Sequence, residues 1–340
     1  NDMEEKYGKE FIHFGGLRIY TTLDSGMQKV AHEVAQGHTR FLESRMVKEE
    51  GQGPLEASVV TIDNQSGAVR VMLGGLDYSK SQFNRAVSNN RMPGSSFKPF
   101  VYMSAFENLG YHPGTVLVDE PIAIDIPGTT PWKPHNFNDK YQGPVILKNA
   151  LAKSLNVISA KLMYELSPKR VIKTARKFGI QSPLNNNYSL ALGSSGVSAL
   201  ELASAYSVVA NTGGYKEPFL VFRVEDYNGN ILYDHLIDNS KRFEEKDMFP
   251  LLDMMKGVVE SGSGRVVRRL GFDHPAGGKT GTTNNFRDTW FTGFTKKYST
   301  SVWVGFDDNS PLIGPNGKGL TGANAAAPIW GMYMKKIHKE

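Results

Sequence analysis

The order of elements in this sequence predicts an α+β fold: an antiparallel sheet of about five strands, covered by helices, with a mainly helical lobe inserted between its strands. Three observations carry that expectation. A β-rich hairpin lies near residue 60, a long helical pattern runs from about Ser95 to Ala210, and three more β-rich runs precede a final helical segment.

Residues 16–24, GLRIYTTLD, are rich in β-branched and aromatic side chains and predict a strand, followed by a helix from about Met27 to Met46. These read as a small N-terminal appendage. The polar KEEGQGP segment marks a boundary near Pro54, which divides the chain into residues 1–54 and a main domain of residues 55–340. SVVTIDNQSGAVRVMLGG then predicts a hairpin that turns at Asn64-Gln65-Ser66-Gly67. In the helical stretch, Ser198 and Glu201 have capping-box spacing, Val197 and Leu202 suit a hydrophobic staple, and Gly213-Gly214 can end that helix. GGKTGTT, DTWFTGFT and TSVWVGFDD are three adjacent strands separated by turns such as Lys296-Lys297-Tyr298, and AAAPIWGMYMKKIHK predicts a helix able to cover one sheet face.

Composition is that of a folded globular protein, long enough at 340 residues for a full core. No cysteine is present, which excludes disulfides, thiolate metal sites and cysteine nucleophiles, and suits an oxidising compartment. The eight histidines form no His-x-His or His-Glu-x-x-His pattern, so no metal or other cofactor is expected. A net charge of +5 is scattered along the chain and reads as a solvated basic surface, with no nucleic-acid site. No run approaches the roughly 20 apolar residues that cross a bilayer. The first ten residues are polar and lack an initiating Met, so the sequence reads as a piece of a longer protein.

The chemistry begins at RMPGSSFKPF, residues 91–100. Pro93-Gly94 predicts a turn, a helical pattern follows it, and Ser95 falls at the helix start with Lys98 one turn on. A serine hydroxyl needs a neighbouring base to become a nucleophile, and an amine one turn away can supply it. The free N–H groups of a helix start favour the charge that develops. Pro99 is tolerated in a first turn. Ser-x-x-Lys alone is weak, since roughly one match is expected by chance in a chain this long. Ser154-Leu155-Asn156 is weaker, because Ser88-Asn89-Asn90 has the same form. Lys279-Thr280-Gly281 opens a β-rich run in which glycine would let a substrate backbone approach. Their joint occurrence, in order, on helix start, helical lobe and edge strand is what makes the set informative.

With their flanks, these motifs resemble the transpeptidase domain of class A, bifunctional penicillin-binding proteins. The resemblance rests on PGSSFKPF, PWKPHNFNDKYQGPVILKNALAKSLN, ALGSSGVSALELASAYSVVANTGGY and GKTGTTNNFRDTWFTGFT, and it covers nearly the whole chain. GLRIYTTLDSGMQKVA is similar to the linker that precedes that domain. The resemblance implies the fold shared by penicillin-binding transpeptidases and serine β-lactamases, with residues 1–54 leading from an upstream glycosyltransferase domain absent here. It also implies an extracytoplasmic home, in the periplasm or at the outer face of the cytoplasmic membrane, held by an N-terminal anchor outside this sequence.

It further implies a D,D-transpeptidase that cross-links peptidoglycan stem peptides and is acylated by β-lactam antibiotics. Ser95 would be the nucleophile, Lys98 its base and Ser154 the proton relay to the departing amine. Asn156 would hold the substrate amide and Lys98, and Thr280 and Thr282 would bind the terminal carboxylate beside the charge of Lys279. The backbone N–H groups of Ser95 and Thr282 would form the oxyanion hole. Burial and the charge of Lys279 would lower the pKa of Lys98. Leu155 stands where other members of the wider group carry Asp, and no segment resembles the deacylating Glu loop of class A β-lactamases. Two other functions fit the same residues: a D,D-carboxypeptidase or β-lactamase-like hydrolase, and a penicillin-binding sensor or scaffold. Elsewhere, His274 is expected to be structural and Asp307-Asp308 a solvated turn, while Trp132, Tyr141 and Trp290 suit a substrate groove or the core equally.

Overall fold

The structure is a computed structural model that describes residues 8, 9, 12, 16–47, 51–126, 128, 130–237 and 239–338. Residues 48–50 of the expected boundary, and most of the polar start, lie outside them.

Among the described residues, twelve strands and nine α-helices follow one another along the chain. The first half contains β1 (Arg18–Thr21), α1 (Ser25–Glu43), β2 (Glu56–Asp63), β3 (Val69–Leu73), α2 (Lys98–Leu109), β4 (Val116–Asp119), β5 (Gly143–Ile146), α3 (Leu147–Ala152), α4 (Asn156–Leu166) and α5 (Pro168–Lys177). The second half contains α6 (Ala199–Ala210), β6 (Gly214–Tyr215), β7 (Val221–Glu225), β8 (Ile231–Asp234), β9 (Ser240–Lys241), α7 (Glu245–Glu260), α8 (Val266–Arg269), β10 (Gly277–Thr282), β11 (Asp288–Phe294), β12 (Tyr298–Gly305) and α9 (Ala326–Ile337). A 3-10 turn, Gly94–Phe97, leads directly into α2.

The main sheet has five antiparallel strands in the order β10-β11-β12-β2-β3, so the chain leaves the sheet after β3 and returns to it at β10. This is the expected α+β fold. Its strands are buried on both faces because each alternate set of side chains meets a different helical layer. Val60, Ile62, Trp290 and Trp303 pack with the helical lobe of α2 and α4–α7. Val59, Val71, Phe291 and Val302 face α1 and α9. Burying a side chain of this size contributes roughly 1.5–3 kcal/mol, so each layer is tied firmly to the sheet.

The hairpin, the three C-terminal strands and the closing helix fall where the sequence places them. The capping box of α6 is formed, with Ser198 and Glu201 bonded to each other's backbone N–H. Helix α1 begins earlier than expected, at Ser25, because Asp24 accepts a hydrogen bond from the Met27 N–H and caps it. Three strand pairings depart from the sequence reading. β4 pairs with β5 inside the helical lobe, β6 pairs with β9, and β1 joins β7 and β8 in a three-stranded sheet. Asp307 is not a plain solvated turn: its carboxylate holds the buried Arg85 guanidinium, 2.6 Å from Nε, and Arg85 also faces Glu56. No helix among the described residues is long and apolar enough to cross a membrane.

Candidate active site

Ser95 sits half-buried in the 3-10 turn, and Lys98 is the first residue of α2, so the turn rather than the α-helix itself presents the serine. Pro99 occupies the first turn of α2, where its missing N–H removes nothing. Gly94 has φ of 55°, and a Cβ there would lie 2.6 Å from the carbonyl oxygen of Thr282. A Cβ on Gly281 would overlap the Pro93 carbonyl oxygen. These two glycines let edge strand β10 lie directly against the Ser95 turn. The sequence signal of Lys-Thr-Gly thus has a steric cause as well as a substrate-facing one.

The second wall is the start of α4. Ser154 precedes it with φ of 60°, a left-handed backbone that a non-glycine residue adopts only under local constraint. The Ser154 N–H donates to the Leu151 carbonyl and the Leu155 N–H to the Ala150 carbonyl, which fixes that bend. Asn136 accepts from the backbone N–H groups of both Asn156 and Val157, capping α4 from a distant loop, while its own amide is held by Asp119 and the Lys140 carbonyl.

Lys98 is fully buried. Its Nζ lies 2.7 Å from the Ser154 carbonyl oxygen, 3.1 Å from that of Leu155, 2.8 Å from Asn156 Oδ1 and 3.4 Å from Ser154 Oγ. Lys279 is also fully buried, and its Nζ donates to Ser154 Oγ at 2.8 Å and to the Thr280 carbonyl at 3.0 Å. Burial pushes the Lys98 amine well below its ordinary value, and the charge of Lys279 adds to the effect. Burial lowers Lys279 to about 7. Two buried amines, both lowered from the ordinary lysine range, therefore flank one serine hydroxyl.

Thr280 is nearly buried, and its hydroxyl meets Ser263 Oγ at 2.7 Å and Lys279 Nζ at 3.3 Å. Thr282 is half-exposed, and its hydroxyl accepts the Gly322 N–H at 3.0 Å, leaving its proton for another partner. Asn156 donates through Nδ2 to the His135 carbonyl. The structure thus brings Lys98, Ser154, Asn156, Lys279 and Thr280 into one connected network. Ser95 and Thr282 lie at its edge, joined to it through the packing of Gly94 on Thr282.

Sequence reasoning missed Asn136, Ser263 and Gly322, each brought in from a loop with no motif of its own. Of the aromatic candidates, Trp290 is in the core, where its indole N–H donates to the Met92 carbonyl; Trp132 and Tyr141 are half-buried. His274 is exposed, with its ring near those of Phe272 and His338. No group of three His, Asp or Glu side chains among the described residues could hold a metal ion.

A serine turn between a sheet edge and a helical lobe, with one buried lysine following the turn and a second on the sheet edge, is the architecture of the penicillin-recognising transpeptidases. A family model described as the penicillin binding protein transpeptidase domain matches residues 57–327. The chain belongs to that family. It is 36% identical over 283 residues to penicillin-binding protein 1A of Aquifex aeolicus, an alignment covering 83% of this chain and 38% of the relative. It is 33% identical over 337 residues to penicillin-binding protein 1B of Vibrio cholerae, covering 98% and 42%. The chain therefore spans about two fifths of the length of these relatives. Among solved structures, PonA1 from Mycobacterium tuberculosis in complex with penicillin V superposes with a TM-score of 0.85 at 27% identity, covering 99% of this chain and 90% of that one. Penicillin-binding protein 1A from Haemophilus influenzae shares the fold, with a TM-score of 0.88 at 23% identity, covering 100% and 69%.

Proposed function

We propose that this chain is a peptidoglycan D,D-transpeptidase that works through an acyl-enzyme on Ser95. The observation that carries the reading is the pair of fully buried lysines, Lys98 and Lys279, meeting at Ser154 beside the Ser95 turn. Burying two amines without a carboxylate partner is unfavourable for the fold, and it suits proton transfer at neutral pH.

Ser95 Oγ attacks the carbonyl carbon between the two terminal D-alanines of a stem peptide, and its proton passes to neutral Lys98. The carbonyls of Ser154 and Leu155 and Asn156 Oδ1 surround Nζ with acceptors, which stabilise the ammonium so formed. The carbonyl oxygen becomes an oxyanion held by the backbone N–H groups of Ser95 and Thr282. The C–N bond then breaks, and the departing amine of the last D-alanine takes a proton through Ser154 Oγ. Lys279 donates to that oxygen and resupplies the relay. The ester on Ser95 is attacked by an amine of a second stem peptide, whose proton returns by the same route; an amide cross-link forms and Ser95 recovers its hydroxyl. Thr280 and Thr282 read the terminal carboxylate, and Lys279 adds charge complementarity. A β-lactam acylates Ser95 by the same attack, but its amine stays tethered and the ester persists.

By kinship with penicillin-binding proteins 1A and 1B, residues 1–54 would be the linker region from an upstream glycosyltransferase domain and 55–340 the transpeptidase domain. Work outside the cytoplasm, with an N-terminal anchor, follows from the same kinship. Helix α1 nonetheless packs its Met27, Ala31 and Val34 into the core beneath the sheet, so the linker would end by docking onto the domain.

Intact-mass spectrometry with a penicillin, followed for hours, tests the reading. One stable adduct that maps to Ser95 supports it. A transient adduct with hydrolysed penicillin would replace it with a hydrolase, and no adduct would remove the acyl-enzyme altogether.

A further inference from the structure

The turn after α7, Ser261–Gly264, touches both walls of the cleft. The Ser263 N–H donates to the Ala152 carbonyl, two residues before Ser154, and Ser263 Oγ lies 2.7 Å from Thr280 Oγ1 on β10. Ser263 is half-exposed, so its hydroxyl stands at the open end of the chain Lys98–Ser154–Lys279–Thr280. A threonine hydroxyl has two acceptor sites and one proton. As the ammonium, Lys279 Nζ can only donate to it, which fills one acceptor site at 3.3 Å.

We propose that Ser263 is a positioning residue that aims the Thr280 hydroxyl at the substrate carboxylate. Its O–H fills the second acceptor site of Thr280, and the Thr280 proton is then left to point into the cleft. The inference rests on the transpeptidase reading above, in which Thr280 binds a terminal carboxylate. Without Ser263, the Thr280 proton has no fixed direction, because an unfilled acceptor site lets the hydroxyl rotate. The mutation removes no atom in contact with the scissile bond, so binding of the carboxylate should suffer more than the acylation step itself.

The test compares acylation by a D-alanyl-type thioester bearing a free carboxylate with acylation by its amidated counterpart. Wild type, Ser263→Ala, Ser263→Thr, Thr280→Ala and the Ser263→Ala, Thr280→Ala pair are measured. The free acid should lose about five- to tenfold in acylation efficiency with Ser263→Ala, mainly through a raised KM, and the amide should change little. Ser263→Thr should restore efficiency to within about twofold, since it keeps the hydroxyl. The pair should be no worse than Thr280→Ala, because Ser263 acts through Thr280. Equal losses on both compounds, no rescue by threonine, or additive losses in the pair would each overturn the assignment. If the wild type already treats acid and amide alike, the carboxylate reading of β10 falls, and this inference with it. If the wild type discriminates and Ser263→Ala discriminates equally, only the role of Ser263 is lost.

Discussion

Lys98 and Lys279 donate to the same atom: Ser154 Oγ lies 3.4 Å from one amine and 2.8 Å from the other, at a bend whose residue has φ of 60°. The serine therefore couples two amines carried by different elements, Lys98 on α2 and Lys279 on β10. In the proposed relay, Ser154 passes a proton from either amine without either lysine moving far.

This coupling predicts a bell-shaped pH dependence for acylation. In the proposed reaction Lys98 must be neutral to take the Ser95 proton, and burial with the Lys279 charge holds it well below its ordinary value, so the acid limb should lie well below the ordinary lysine range. Lys279 is useful as a cation, and burial lowers it to about 7, so activity should decline as pH rises above that point. In Lys279→Arg the guanidinium stays charged, and the alkaline limb should disappear even if the maximum rate falls. Acylation rates across pH 5–10 would decide this. An unchanged alkaline limb in the arginine variant would mean that another group titrates there.

The same burial predicts a stability effect of definite sign. The folded Lys279 binds its proton less tightly than the unfolded lysine, so the unfolded state holds more protons between about pH 7 and the ordinary lysine range. The penalty is fully present below about pH 7 and shrinks as pH rises through that window. Lys279→Met should therefore be more stable than wild type at pH 6, by an amount on the order of a few kcal/mol, and the gain should fade towards pH 10. Denaturant midpoints at the two pH values measure it. A gain that is the same at both would show that packing, not charge burial, is responsible.

Lys98→Ala should slow acylation by at least about 100-fold, as expected when a general base is lost. Lys98→Arg should not restore it, since guanidinium cannot accept a proton at working pH. Asn156→Ala removes one of three acceptors that stabilise the Lys98 ammonium, so the acid limb should move to lower pH while the maximum rate falls. Stopped-flow acylation separates these outcomes, and an active Lys98→Arg variant would show that the lysine acts by charge alone.

Ser95→Ala should abolish covalent labelling by β-lactams while leaving the melting temperature within about 2 °C of wild type, because a half-buried hydroxyl contributes little to packing. Labelling that survives would point to Ser96. That neighbour is fully buried, with Oγ turned 3.4 Å from the Lys279 carbonyl and its own carbonyl held by the Tyr206 hydroxyl, so it is occupied in the fold.

What could be read from the sequence was what lies within one turn or one strand. Ser95 with Lys98, Lys279 with Thr280 and Thr282, and Ser198 with Glu201 are local pairs whose spacing is their geometry. The five strands were legible for the same reason, since each carries its own apolar run. Asn136 caps α4 across 20 residues, and Ser263 reaches Thr280 across 17, both from loops of ordinary composition. Asp307 looked solvated because its partner Arg85 is 222 residues away. β1 finds its place beside β7, some 200 residues later, and nothing in either strand announces the other.

The last prediction concerns how the Ser95 turn is held on the sheet. Arg91 enters that turn four residues before the serine, and its guanidinium is buried over the Trp303 ring, 4.9 Å from the centroid. Its Nη1 lies 3.5 Å from Asp288 Oδ1, and its Nη2 donates to the carbonyls of Phe306 and Asp307 at 2.9 and 3.0 Å. Asp288 begins β11 and accepts the Trp303 indole N–H at 2.9 Å; burial pushes its carboxyl up, while that indole and Arg91 oppose the rise. Arg91→Met would leave the Asp288 carboxylate buried with only the Trp303 indole and the Thr283 hydroxyl beside it, a loss of about 3–5 kcal/mol if the charge stays unpaired. Asp288→Asn in that background removes the charge and keeps an acceptor for Trp303, so the double variant should recover about 1–3 kcal/mol of the loss. Acylation should not recover with it, because the carbonyls of Phe306 and Asp307 still lack the arginine that ties them to the entry of the Ser95 turn. The experiment is a double-mutant cycle read by both denaturant unfolding and acylation rate. If the double variant is no more stable than Arg91→Met, the two residues are not coupled. If its acylation returns along with its stability, the arginine supports the fold but does not position the serine.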